Sequence, residues 1–431
     1  MPASATMAAA VTAVSGKGYR RWLLFVLLCV CFINYADRSV VGAIAEPLRR
    51  EFHLNDLQLG LLQGISFALL YSVLGIPVAR LAEQHSRVRI IALATLVWSA
   101  MTALCATASS YLMLLAVRVG VGVGEAGFMS PATSLLGDHY DRQERSLATS
   151  IMMLGVPFGA LVGALLGGRI AQSMGWRWAF IVMGVPGLVI AALVFLTLRE
   201  PARGRTGETV EATAPSLTAV ARQCWSQPAF RHVVMGGTLG GFGLHGLGQF
   251  LGVYFTRVHG LSYAAAGALY GAQTFLSVAG GLLIGGGLTH RLGREDARWY
   301  ALIPAIGMFG SVPLYLAGFQ ARGLAASATL IILAGVSLVM HYGSGVAIVQ
   351  NLATPRTRAS CVAFYLLFVN VVAMGLGPPL IGWLSDLFAA RITGPGATAE
   401  GLTLALMTST VLYAWGGVHY LLARRGLEQP A

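Results

Sequence analysis

Apolar runs of about 20 residues recur along the whole chain, and that repetition limits the possible folds more than any single motif. Inside hydrocarbon a backbone must satisfy its own polar groups, so only helices and closed barrels cross a bilayer. Runs of this length match helices rather than the short alternating strands of a barrel. Twelve spans are predicted, at roughly 22–45, 57–79, 88–108, 111–135, 146–168, 178–198, 230–256, 262–288, 298–319, 324–350, 359–388 and 401–422. The composition agrees: 56% of residues are hydrophobic and only 11% charged, where a soluble chain carries about 25% charged residues. Glycine, at 54 residues, suits close helix–helix approach in lipid. The first seventeen residues, rich in Ala and Ser, read as a disordered tail, and no cleavable signal peptide is expected after them.

The net charge of +12 is spread in a way that argues against nucleic acid as a partner. With the N-terminus inside, the inner segments hold 20 of the 29 Lys and Arg residues and the outer segments 7. That bias places both termini in the cytoplasm. The five cysteines, Cys29, Cys31, Cys105, Cys224 and Cys361, lack metal-ligand spacing with His and read as small apolar packing residues.

The polar, Pro- and Thr-rich stretch at 200–229 divides the chain. The expected organisation is a tail at 1–20, a six-helix bundle at 21–199, a linker at 200–229, a second bundle at 230–425 and a tail at 426–431. The halves resemble each other. Shifted by 207 positions without a gap, Leu54–Arg87 lies on Leu261–Arg294, with Gly60 on Gly267, Gly64 on Gly271 and Arg87 on Arg294. Apolar composition explains matched leucines but not two matched glycines and an arginine in one register. A six-span unit duplicated in parallel orientation does.

Four charges sit inside predicted spans: Asp37 and Arg38 in span 1, Arg118 and Glu125 in span 4. Each costs at least ~2.5–3.5 kcal/mol at bilayer depth, so each persists only beside a partner or water. Asn34, Asp37 and Arg38 share one stripe of a helix, as do Arg118, Gly122 and Glu125. With a rise of ~1.5 Å per residue, Asp37 lies about 12 Å and Arg118 about 10 Å from the outer surface, and Glu125 about 21 Å. Two carboxylates at different depths, with Arg118 biasing their charge, form a candidate proton-coupling set. The competing reading is a set of ion pairs that only hold helices together.

The loops after spans 2 and 8 read ARLAEQHSR and GGLTHRLGR. Both resemble the G-x-L-x-D-R-x-G-R signature of the major facilitator superfamily. The first copy has Glu83 in the acidic place and the second has His290. Around the buried charges, Tyr35-Ala-Asp37-Arg38 and Arg118-x3-Gly122-x-Gly124-Glu125-Ala126 resemble the spinster branch of that superfamily. Gly175-Trp-Arg-Trp, Arg199-Glu-Pro201 and the stretch from Gly377-Pro378 to Ser385-Asp386 are similar to it too. The resemblance implies an all-α membrane protein of twelve transmembrane helices, with two six-helix bundles around a central cavity. It further implies transport of a lysophospholipid or sphingosine-phosphate-like amphiphile by alternating access, with proton coupling in some members. Asp37, Glu125 and Arg118 would serve coupling, and Glu83, Arg87, His290, Arg291 and Arg294 an inner gate. The Gly/Pro-rich fifth span, Gly155-x-Pro157-x-Gly159-x3-Gly163, resembles that of the superfamily's exporters and also reads as a packing seam.

Substrate contact is expected from Arg38, Asn34, Tyr35 and Arg118, and from His245, Gln249, Tyr342, Tyr365 and Asn370 in the second half. Gly241-Phe-Gly243-Leu-His-Gly246 spells G-x-G-x-x-G, but it interrupts a membrane span and follows no strand, so it reads as a break in the helix rather than a nucleotide loop. A second reading of the chain is a transporter of small organic anions or drugs on the same scaffold. A lipid enzyme is a remote one, since no nucleophile, acid–base pair or metal cluster marks a membrane surface. The expected partners are a lipid-like or organic-anion substrate, protons and the bilayer, with no cofactor. A monomer in a bacterial plasma membrane is expected.

Overall fold

The structure, a computed structural model, describes residues 16–201, 217–354 and 357–427. The predicted tail before residue 16 and most of the linker lie outside these residues. Eleven helices are long and apolar enough to cross a membrane. The first bundle contributes Lys17–Ala43, Asp56–Gln84, Arg87–Cys105, Tyr111–His139, Gln143–Ser173 and Trp176–Thr197 (spans 1–6). The second contributes Tyr263–Leu292, Trp299–Gln320, Leu324–Leu352, Ser360–Ala389 and Ala397–Gly426 (spans 8–12). Span 7 completes the twelve, but in pieces: Pro228–Gly241, a π-helical stretch Phe242–Leu247, then Gly248–Val258. The G-x-G-x-x-G run is that break. Span 11 has a second π stretch at Val369–Met374, and the two stretches touch. A further helix, Leu217–Ser226, lies within the expected linker.

Both described chain ends lie on one face of the molecule, called here the terminal face. Tyr140 Oη donates to the Arg20 carbonyl there, and the Arg199 N–H donates to Tyr19 Oη. The opposite face is the distal face.

In lipid, helices gain nothing by hiding apolar side chains from water, so close van der Waals fit decides packing. The glycines of span 5 supply that fit against span 1. A Cβ on Gly159 would stand 2.3 Å from the Phe32 carbonyl oxygen, and one on Gly163 2.2 Å from that of Ala36. The seam reading of span 5 is therefore realised, and it presses on the segment of span 1 that carries Asp37 and Arg38. Spans 5 and 8 then join the bundles, with Gly168 against Tyr263 and Gly271 against Leu161.

The cysteines correct the packing reading. Cys29, Cys31 and Cys105 are free, but Cys224 and Cys361 are joined as a disulfide across 137 positions. Sequence spacing carried no sign of it, because the pair meets only through the tertiary fold.

A side chain at Gly163 meets backbone that cannot yield, whereas one at Gly286 meets nothing within 4 Å. Gly163→Val should lower the thermal midpoint of the purified protein, at a cost of at least ~1–3 kcal/mol. Gly286→Ala should leave the midpoint unchanged or raise it in the same thermal-unfolding measurement.

Candidate functional site: a buried charge cluster and a distal clamp

The four intramembrane charges form two groupings. Arg38 Nε donates to Glu125 Oε2 at 2.6 Å, an ion pair between spans 1 and 4. Glu125 is fully buried, and Arg38 retains 13% side-chain exposure. Asp37 instead accepts from the Thr102 hydroxyl of span 3. The depth difference between Arg38 and Glu125 is closed by side-chain direction. Helical side chains lean toward their helix N-terminus. Spans 1 and 4 run oppositely, so Arg38 leans toward the terminal face and Glu125 toward the distal face, and they meet between.

Glu125 also ends a helix. The segment Tyr111–Glu125 stops there, residues 126–128 turn, and the span resumes at Met129. Gly122 lets span 2 approach: a Cβ there would lie 2.7 Å from the Phe67 carbonyl oxygen. The Phe67 ring lies 4.6 Å from the Arg38 guanidinium and 5.8 Å from that of Arg118. Tyr35 and Tyr71 stand 4.9 and 4.7 Å from the Arg38 guanidinium. Arg38 is therefore held by one carboxylate and three aromatic rings, an arrangement in which each ring adds a cation–π attraction.

Arg118 differs. It is 2% exposed, no carboxylate lies within ion-pair distance among the described residues, and its Nε and Nη1 have no hydrogen-bond partner. Its charge still acts on both Asp37 and Glu125. Asp37 Oδ1 is also unpartnered, while the Asn34 side chain reaches the Glu125 carboxyl. Buried polar atoms left this way are costly and rare.

The second-half residues divide. His245 and Asn370 lie in the two π stretches. His245 is close enough to Arg38 for their charges to interact, and Tyr342 likewise to Tyr35 and Tyr71. Gln249 packs on the distal side, its Oε1 where a Gly42 Cβ would be, and accepts from Tyr270. Tyr365 departs from the substrate role expected of it. It is 1% exposed, with its hydroxyl wedged against Gly237 and Gly345 in the second bundle's core.

The expected inner-gate residues are not brought together. Arg87 is buried and bonds Glu200 at 2.7 Å and Asp138 at 2.5 Å, both within the first bundle. Glu200 also receives the Ser86 hydroxyl and the Val88 N–H, so the R-E-P stretch caps span 3. Glu83, His290, Arg291 and Arg294 are exposed. The G-W-R stretch is likewise a clamp: Trp176 Nε1 and Arg177 both bond Glu51. The Arg177 guanidinium holds the Glu51 carboxyl below its usual range.

A second cluster was missed by sequence reasoning. At the distal face, Arg257 of span 7 binds Asp56 of span 2 through both guanidinium ends, at 2.8 and 2.7 Å, and Glu46 at 2.8 Å. Asp56 also accepts from Ser385, while Asp386 of span 11 accepts the Asp56 and Leu57 N–H groups at the start of span 2. In sequence Arg257 is one of the seven outer positive charges. Its signal was the acidic pair Glu46 and Asp56 flanking the first distal loop. Every hydrogen bond and ion pair joining the bundles among the described residues lies at this face. These contacts close the distal side.

The sequence matches the family model described as Major Facilitator Superfamily over residues 27–378. The chain belongs to the Major Facilitator Superfamily. It is 30% identical to an MFS-type efflux pump of Mycolicibacterium smegmatis, over 92% of this chain and 91% of that one. It is 26% identical to the sphingosine-1-phosphate transporter SPNS2 of Xenopus tropicalis, over 90% of this chain and 78% of that one. It is also similar to the solved structure of a bacterial homolog to the human lysosomal transporter spinster, in an inward-facing and unoccupied conformation. That structure superposes with a TM-score of 0.88 at 30% identity, covering 96% of this chain and all of the other. These relatives place the transporter in the spinster branch.

A bidentate, buried Arg257 leaves uncompensated charge when it is removed, at a cost of ~3–5 kcal/mol to the distally closed state. Spin labels at Ser109 and Arg322, in distal loops of the two bundles, should report it. Arg257→Met is expected to add a longer-distance population that the unmodified clamp lacks.

Proposed function

We propose that this superfamily transporter moves an amphipathic, anionic lipid-like substrate by alternating access, coupled to protons through Glu125 and Asp37. The observation that carries the reading is the pairing pattern: Arg38 bound to Glu125, with Arg118 buried beside both acids and short of partners. An anionic head entering the cluster competes with Glu125 for Arg38 and meets the open donors of Arg118. Once displaced, a fully buried Glu125 loses its partner, and a buried carboxylate without a cation takes up a proton. The substrate head and the Glu125 carboxylate thus compete for the same arginine, and binding of the head is coupled to proton uptake by Glu125. The same two acids at different depths give the proton a route along the first bundle.

The lipid character rests on the relatives' chemistry and on aromatic walls around Arg38. With the terminal face as the cytoplasmic face, supported by the 20-to-7 bias in Lys and Arg, the distally closed arrangement is inward-facing. The closed clamp of Arg257, Asp56 and Glu46 then serves as the outer gate, and opening requires it to break. The two π stretches of spans 7 and 11 give the second bundle points at which helices can bend.

Liposomes carrying the protein and an imposed pH gradient test the coupling. Gradient-driven lysolipid uptake should be abolished by Glu125→Gln and strongly reduced by Asp37→Asn, while passive exchange persists. Gradient-driven uptake that survives both substitutions would reduce the charges to helix packing. Native mass spectrometry separates lipid from small organic acids: lysolipid adducts should be selectively lost in Arg118→Ala. Equal retention of organic-acid adducts and no lysolipid adducts in the unsubstituted protein would favour the small-anion reading.

A further inference from the structure

The helix Leu217–Ser226 leads into span 7, and its hold on the second bundle is thin. Among its described side chains Val220 and Cys224, one turn apart, are buried, while Arg222, Gln223 and Trp225 are exposed. Trp225 stacks on Phe368 of span 11 with ring centroids 5.3 Å apart. The remaining link is covalent: Cys224 is joined to Cys361, near the start of span 11, with their Cα atoms 6.5 Å apart. Both cysteines are almost fully buried, at 3% and 2% exposure. A cavity of about 320 Å³ nevertheless reaches Cys224, lined also by Arg222, Trp225, Phe230, Phe364 and Phe368.

We propose that Cys224 and Cys361 are a reversible redox modification site that fastens the pre-span-7 helix to span 11. The inference rests on the cytoplasmic placement of the terminal face given above. In a reducing cytosol a disulfide in an ordinary protein is usually transient and redox-sensing rather than a permanent staple. The cavity gives a small-molecule disulfide access to a buried sulfur, and Arg222 at its edge attracts an anionic one such as glutathione disulfide. The Cys224 thiolate attacks one glutathione sulfur, forming a mixed disulfide and expelling one glutathione thiolate, which takes a proton. The Cys361 thiolate then attacks the Cys224 sulfur and expels the second glutathione. The protein thiols lose two protons and two electrons, and one glutathione disulfide becomes two thiols.

Oxidised, the helix is bound to the second bundle, and the connection between bundles runs from Glu200 to Leu217. Reduced, the helix keeps only its few apolar contacts and opens locally at low cost. The connection then extends to Pro228, giving the bundles a longer tether as they rock.

The test uses the full-length protein in membranes equilibrated with glutathione buffers from reducing to oxidising. Free thiols are then alkylated, and peptides are mapped with and without brief trypsin treatment. A linked Cys224–Cys361 peptide should form and vanish reversibly with the buffer ratio, while Cys29, Cys31 and Cys105 stay unlinked. Trypsin cleavage after Arg222 should be protected in the oxidised protein and exposed in the reduced one. Cys361→Ser and Cys224→Ser should each be cut after Arg222 at every ratio. The proposal is overturned by a linked peptide that never forms, or by one that native reduction never opens. It is equally overturned by Arg222 cleavage that ignores the ratio, or by variants protected like the oxidised protein. The wild-type reversibility decides the matter even where a variant misfolds, and no arm depends on transport or its substrate.

Discussion

Charge buried between helices in lipid must be compensated by protein, and the placement of that compensation organises this molecule. Two clusters meet the requirement differently. In the distal clamp Arg257 takes Asp56 and Glu46, and Asp386 takes the N–H groups that begin span 2. That cluster joins the bundles and closes one side. At the centre the pairing is incomplete, with Arg38 on Glu125 but Arg118 and Asp37 each holding atoms without partners. A fully satisfied network rigidifies and a partly satisfied one is unstable toward a better partner, which suits a gate and a binding site respectively.

The glycine seam between spans 1 and 5 is what makes the centre specific. Span 1 is held against span 5 at Phe32 and Ala36, so Asp37 and Arg38 project toward spans 3 and 4. A helix carrying both an acid and a base one residue apart can address two neighbours at once, about 100° apart. The structure uses this: Asp37 goes to Thr102 and Arg38 to Glu125. The four charges all belong to the first bundle, while the second supplies the π-broken spans 7 and 11 and Tyr342 of span 10.

Much of this is legible in sequence because the bilayer simplifies the code. Length and polarity of the runs define spans, and the glycine and arginine matches at offset 207 define the duplication. The helix break at Gly241–Gly246 is legible because consecutive glycines weaken a helix wherever they fall. The charges declare themselves by their cost. What pairs with what is not legible, because it depends on crossing angles and on the lean of side chains. Arg257 looked like any loop cation, Arg87 like a gate rather than a bundle lock, and Tyr365 like a cavity wall rather than a core ring. Cys224 and Cys361 meet across 137 positions, a distance over which local pattern carries no information. The motif stretches G-W-R and R-E-P were legible as motifs, but their work, clamping Glu51 and capping span 3, is visible only in three dimensions.

The central claim is that the substrate head and the Glu125 carboxylate compete for Arg38, so that substrate binding and protonation of Glu125 go together. The most direct measurement is proton release or uptake on binding, read with a pH dye in weakly buffered detergent solution as lysolipid is added. The account predicts a proton taken up as the anionic head displaces Glu125 from Arg38, and no such uptake in Glu125→Gln protein that still binds lipid. Lysolipid binding without proton uptake in the unsubstituted protein, or uptake undiminished in Glu125→Gln, would contradict it.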